Sequence, residues 1–281
     1  MGEFISFMAA PFVATLAIVA IHVYLGIHVI QREIIFVDLA LAQIAALGTT
    51  VAFFLNPTGP TGHTYLWSLG FVVLGAALFS LTRVRDQRIP QEAIIGITYV
   101  MATAAAIIVA DQAAGGAEHI KEILMGAILW ASWSTIVPLV ILYALVGLVH
   151  YYFRKRFIAI TDNYRAGTFT RADRWWDFFF YLTFGLVIVF SVQVAGVLLV
   201  FSFLVVPTAI SALYSKSWGA RLIIGWLVGL TVTLLGLILS WTMDIPCGPG
   251  VVILLGLFLV IMAGVRVAIF GRGRASYPDP S

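Results

Sequence analysis

Long apolar runs alternate with short polar breaks along almost the whole chain, and the runs have similar lengths. A membrane-spanning helix needs about 20 mainly apolar residues. By that measure nine segments qualify, roughly 8–30, 35–55, 65–82, 92–111, 128–152, 176–193, 196–214, 222–241 and 250–270. The sixth and seventh are parted only around Gln193-Val-Ala-Gly196. They read either as two short helices or as one long broken element. The pattern predicts an all-α, polytopic integral membrane protein with about 8–9 transmembrane helices. One transmembrane domain over 1–270 is expected, followed by a Pro/Gly/Ser-rich tail over 271–281 that reads as disordered.

The second run differs from the rest. From Arg32 to Gly48 it carries an acid, Asp38, and an amide, Gln43, among small residues Ala40, Ala42, Ala45, Ala46 and Gly48. An ionisable group inside a bilayer is costly and by default faces a bundle interior or a water-filled path. Small residues let neighbouring helices approach closely. This helix is therefore expected at the centre of the bundle, with Asp38 and Gln43 on a translocation path. A helix turns 100° per residue, so the two side chains point about 140° apart.

Composition excludes a soluble globular protein: 62% of the 281 residues are hydrophobic and 10% are charged, against about 25% charged in soluble domains. The placement of charge is more informative than the net +3. With the N-terminus outside, the loops 31–34, 83–91, 153–175, 215–221 and the tail after 266 face the cytoplasm. All 16 Lys and Arg except Lys121 then lie inside, as the positive-inside rule requires. This predicts an N-terminus outside and a C-terminus in the cytoplasm. It also requires an odd number of crossings, with the chain turning back near 193–196. The N-terminus lacks a basic n-region and an A-x-A site, so no removable signal peptide is expected.

Several chemistries are missing from the sequence. No G-x-x-x-x-G-K-[ST], H-E-x-x-H or G-x-S-x-G occurs. The five histidines are scattered, and the single Cys247 excludes an intrachain disulfide framework or a cysteine-based metal cage. No enzymatic activity, tightly bound cofactor, confident metal-ligand set or nucleic-acid partner is expected. Buried ionisable groups are too few for an obvious proton relay. That favours a permease driven by a separate ATPase, with an ion-gradient-driven carrier or channel as the alternative. The 153–175 loop is the longest polar connection and the natural seat for such a partner. In it, Thr161 or Asp162 can cap a short helix. Thr170 can cap the next, with Asp173 at the capping-box position.

Four stretches, in order, resemble the permeases of the zinc/manganese/iron class of ABC metal importers. Gly196-Val-Leu-Leu-Val, running on to Pro207-Thr-Ala-Ile-Ser-Ala, resembles that family's Gly-x-Leu-Leu-Val and Pro-x-x-x-Ala elements. Asp244-Ile-Pro246-Cys-Gly248-Pro249 is similar to its Asp-x-Pro-x-Gly-Pro turn. Ile89-Pro90-Gln-Glu92 and Ile123-Leu-Met-Gly126-Ala-Ile-Leu are similar to two further stretches. The resemblance implies a homodimeric or paired permease in a bacterial inner membrane. Its partners would be a cytosolic ATP-binding subunit and an extracytoplasmic metal-binding protein, its cargo a divalent metal, and ATP would act only through the partner. It further implies that Asp162, Asn163, Tyr164, Arg165 and Gly167 form the ATPase-coupling loop, where the family often has Asp-Pro-Glu. The family's second helix typically reads Asp-x-x-x-His-Ala with Gly five residues past the His. Aligned on Gly48, the His position falls at Gln43 and the Asp position at Leu39, with Asp38 one residue earlier.

Overall fold

The computed structural model describes residues 2–56, 62–83, 89–113, 115–166, 168, 170 and 172–270. In chain order the helices are α1 (Gly2–Gln31), α2 (Val37–Leu55), α3 (Gly62–Leu81), α4 (Gln91–Asp111), α5 (Gly116–Met125), α6 (Trp133–Tyr152), α7 (Arg154–Ala166), α8 (Asp173–Ala195), α9 (Val197–Tyr214), α10 (Trp218–Met243) and α11 (Cys247–Phe270). Among the described residues there is no strand. All but the short α5 and α7 are long and apolar enough to cross a membrane. Helices suit this setting because they satisfy every backbone polar group internally, where lipid offers no partner.

The ambiguous sixth and seventh runs are two helices. Gly196 separates α8 from α9 with φ 78° and ψ 158°, a backbone shape in which L side chains are strained. The fifth span is shorter than its apolar run. Ile128–Trp130 forms a single 3₁₀ turn, and the spanning helix begins only after the extended Ser132. The expected tail, 271–281, lies outside the described residues.

Successive spans alternate in direction, which sorts the connections into two ends. The α1–α2 turn, the α3–α4 connection, α7 and the α9–α10 turn share one end, where Arg32 meets Asp177 and His28 meets Trp218. The α5 helix, the α8–α9 junction and the α10–α11 turn share the other, where Ala127 N donates to the Val194 carbonyl. The helix with the acid and amide is central. α2 packs against α3, α4, α5, α8 and α9. Gly48 sits so close to Trp67 and Ser68 of α3 that a Cβ would clash with their backbone. Beside it, Ser68 Oγ donates to the Ala45 carbonyl at 3.0 Å. The spans α1, α2 and α8 are the most buried, and α11 is the least.

Candidate functional site: a buried polar node and a central acid

The polar loop folds into an amphipathic helix whose sequence explains its seat. In α7, Phe157, Ile160 and Thr161 are buried and Tyr164 is half-buried. These positions, at i, i+3, i+4 and i+7, form one helical face. The opposite side carries the exposed Lys155, Arg156 and Asp162. Thr161 is not the expected cap, because the helix begins seven residues earlier at Arg154. Asp162 does not cap it either. The second cap is half realised: the Asp173 carboxylate accepts from Thr170 N and from Thr170 Oγ1, each at 2.8 Å.

Thr161 instead lies at the heart of a buried network. Its hydroxyl donates to the Phe157 carbonyl at 2.9 Å. With its only hydrogen committed, its oxygen accepts from Arg32 Nε at 3.0 Å and pairs with His28 Nδ1 at 2.8 Å. This assigns the His28 proton to Nδ1. Arg32 continues to α8, where Nη1 meets Asp177 Oδ1 at 2.9 Å, both side chains fully buried. Its guanidinium also lies 3.9 Å from the Phe180 ring centroid. From the α3–α4 connection Arg83 reaches Asp177 Oδ2 at 3.9 Å and covers the Tyr164 ring. Burial, followed by the nearby Asp177 carboxylate, pushes the Tyr164 phenol up to about 12. It therefore meets Arg83 as a neutral ring, the form that attracts a cation through its π face.

A second layer lies deeper among the same helices. Thr183 Oγ1 donates to the carbonyls of Phe179 and Phe180, so His150 Nε2 donates to Thr183 at 2.8 Å. His150 Nδ1 is then the acceptor for Tyr24 OH at 3.1 Å. Phe157 of α7 stacks on His150 with ring centroids 4.1 Å apart and planes 4° from parallel. His22 stands apart in α1. Its Nδ1 bonds the Ile18 carbonyl at 2.8 Å, and its Nε2 is buried without a hydrogen bond among the described residues.

Asp38 lies in the first turn of α2 and is 1% exposed, and Gln43 is 6% exposed. The sequence spacing turns them apart, yet α2 is enclosed on so many sides that neither reaches lipid. Neither Asp38 oxygen has a hydrogen-bond partner among the described residues, so the acid and the amide are not joined. No group of three or more His, Cys, Asp and Glu side chains suited to a metal ion occurs among the described residues. Two residues before Asp38, Phe36 N donates to Glu92 Oε1 of α4 at 3.0 Å, which ties α4 to the α1–α2 turn.

Of the expected coupling loop, Asp162 is exposed, Asn163 is half-buried and Tyr164 turns into the node. The side chain of Arg165, and Gly167 altogether, lie outside the described residues. Sequence reasoning missed Arg32, Arg83 and Asp177 as a group. The first two read as topology-setting charges. One available signal was an arginine and an aspartate placed where spanning helices begin or end, since such charges are tolerated only when paired.

At the other end the contacts are between backbones. Gly126 (φ 65°) and Gly196 (φ 78°) press together so that a Cβ on either would collide with the other segment's main chain. A Cβ on Gly248 would run into the Met125 carbonyl. Three stretches far apart in sequence, each with a glycine in a family-like motif, therefore meet at one point. A cavity of about 360 Å³ opens beside it, lined by 125–130 and by Ser240 and 244–249.

Comparison with known proteins agrees with this architecture. Residues 4–265 match the model of the ABC 3 transport family. A probable metal transport system membrane protein of Chlamydia trachomatis is 25% identical over 243 residues, covering 83% of this chain and 80% of the relative. The manganese transport system membrane protein MntC of Listeria monocytogenes is 23% identical over 201 residues, covering 68% of this chain and 70% of its own. Among solved structures, PsaBC from Streptococcus pneumoniae in complex with Fab superposes with a TM-score of 0.75 at 21% sequence identity, over 93% of this chain and 94% of that one. That last likeness is one of fold.

Proposed function

The chain belongs to the ABC 3 transport family, and from that premise we propose that it is the membrane-spanning permease of an ATP-driven importer of divalent transition metal ions. The observation that carries the reading is the family match over nearly the whole chain, joined to a helix, α7, that is built for docking. Its outward face is polar and its inward face is bonded into the bundle. The sequence has no P-loop, so nucleotide would be handled by a separate ATP-binding subunit seated on α7, whose C-terminal end carries Asp162, Asn163, Tyr164 and Arg165. The node end carries nearly all the positive charge and is the cytoplasmic one on the positive-inside rule. An extracytoplasmic metal-binding protein would deliver cargo at the glycine end. A second copy of the chain would complete the transporter in the bacterial inner membrane.

Asp38 and Gln43 are the proposed path residues. Asp38 is an acid inside the bundle with no hydrogen-bond partner among the described residues, and a passing cation would supply the missing charge. Both side chains offer oxygen, which suits a harder ion such as manganese better than zinc, whose preferred donors include nitrogen and sulfur. The test is uptake in liposomes. The chain together with its co-purifying ATPase should accumulate Mn²⁺ only when ATP is present, and Asp38→Ala should lower the rate. Uptake by the chain alone down an ion gradient would contradict the division of labour. Wild-type uptake by both Asp38→Ala and Gln43→Ala would remove these residues from the path.

A further inference from the structure

We infer that Thr161 and Arg32 form a transmission clamp, through which movement of the docking helix reaches the base of the helix carrying Asp38 and Gln43. The inference rests on the permease reading and adds positioning residues to it.

The geometry sets the route. Arg32 is one residue past the end of α1 and six before Asp38. The turn between them is short and tightly bonded. Arg32 N donates to the His28 carbonyl, Glu33 N to Ile30, Ile34 N to Val29 and Val37 N to Ile34. Glu33 is held at φ 56°, an uncommon conformation for a non-glycine residue that persists only where its surroundings enforce it. Such a turn has little slack. A pull on the Arg32 side chain is therefore passed to the start of α2 and is not absorbed on the way.

The pull arrives chiefly at one atom. Thr161 Oγ1 meets both Arg32 Nε and His28 Nδ1. Around that bond α7 touches the same region through rings: the Tyr164 ring lies under Arg83 and 5.5 Å from the Arg32 guanidinium, its hydroxyl is 3.3 Å from Tyr181, and Phe157 stacks on His150. Hydrogen bonds to charged groups in a water-excluded site are directional and strong, whereas apolar packing lets one helix slide past another. Arg32 is anchored a second time on Asp177 of α8. The clamp therefore joins α7, the α1–α2 turn and α8 into a single lever. Such a lever is one physical route by which coupling between two distant sites travels.

The test uses a pair of variants that should both fold. Thr161→Val keeps the shape and removes the hydroxyl; Thr161→Ser keeps the hydroxyl. Two readouts are needed. In the chain alone in nanodiscs, hydrogen exchange at residues 32–37 should become roughly tenfold faster in Thr161→Val and return towards wild type in Thr161→Ser. In liposomes with the co-purifying ATPase, Mn²⁺ moved per ATP hydrolysed should fall in Thr161→Val and recover in Thr161→Ser. A merely structural role would lower uptake and hydrolysis in proportion and leave that ratio unchanged. The clamp is overturned if exchange over 32–37 does not respond, or if the ratio stays at the wild-type value. Failure of the wild-type complex to show ATP-driven uptake would instead overturn the permease reading. The exchange measurement would still decide whether Thr161 holds the turn.

Discussion

The two ends of the bundle are joined by opposite means. At the α7 end, four separate segments meet through side chains: Arg32, Arg83, Thr161 and Asp177 with their aromatic neighbours. At the other end, Gly126, Gly196 and Gly248 bring backbones together with no side chain between them. Long, directional side-chain bonds can carry a displacement and can be released one at a time. Main chains in direct contact leave no slack, because packed interiors resist compression. The difference makes the first end suited to receiving motion and the second suited to acting as the fixed point about which helices tilt.

The largest expected effect comes from cutting the polar end. Arg32→Ala leaves Asp177 buried with its nearest cation removed, and breaking such a pair costs about 3–5 kcal/mol. Thermal unfolding in detergent should show a loss of that order. If the melting temperature does not move, the ion pair contributes nothing and the contrast between the ends fails. A smaller loss is expected at the glycine end. Gly196→Ala forces a Cβ into the Gly126 backbone, an overpacking cost of about 1–3 kcal/mol, with strain at positive φ in addition. That variant should lose stability while keeping its uptake per ATP. A changed ratio there would show that the fixed point also carries signal. The smallest effect is expected on the outer face of α7. Asp162→Asn changes an exposed side chain and should alter stability by no more than about 0.5 kcal/mol. It should weaken co-purification with the ATPase if this face is the docking surface, as a pull-down would show.

The spans were legible because their lengths follow from bilayer thickness alone, and α7 because its segment is the longest polar connection in the chain. The central place of α2 was legible from one acid and one amide among small residues. Arg32 was not legible as part of a node. Its partner Asp177 lies 145 residues away, and an arginine after an apolar run reads first as a topology signal. Thr161 was misplaced as a cap for a related reason. Threonine favours helix starts, but the helix here begins at Arg154 and uses the Thr161 hydroxyl as a tertiary acceptor. The glycines stood out only as members of similar stretches. Their convergence depends on three turns folding to one point, which no local pattern encodes.

Spin-label distances in the reconstituted complex would examine the lever itself, with labels on exposed positions of a Cys247→Ser background. One label on Arg154→Cys at the start of α7 and one on Glu33→Cys in the α1–α2 turn should keep their separation when ATP is added, because the clamp moves them together. A pair on Arg154→Cys and Met243→Cys at the glycine end should change its separation in the same samples. A shift of several ångströms between α7 and the turn, with the long pair unchanged, would contradict transmission through Thr161 and Arg32.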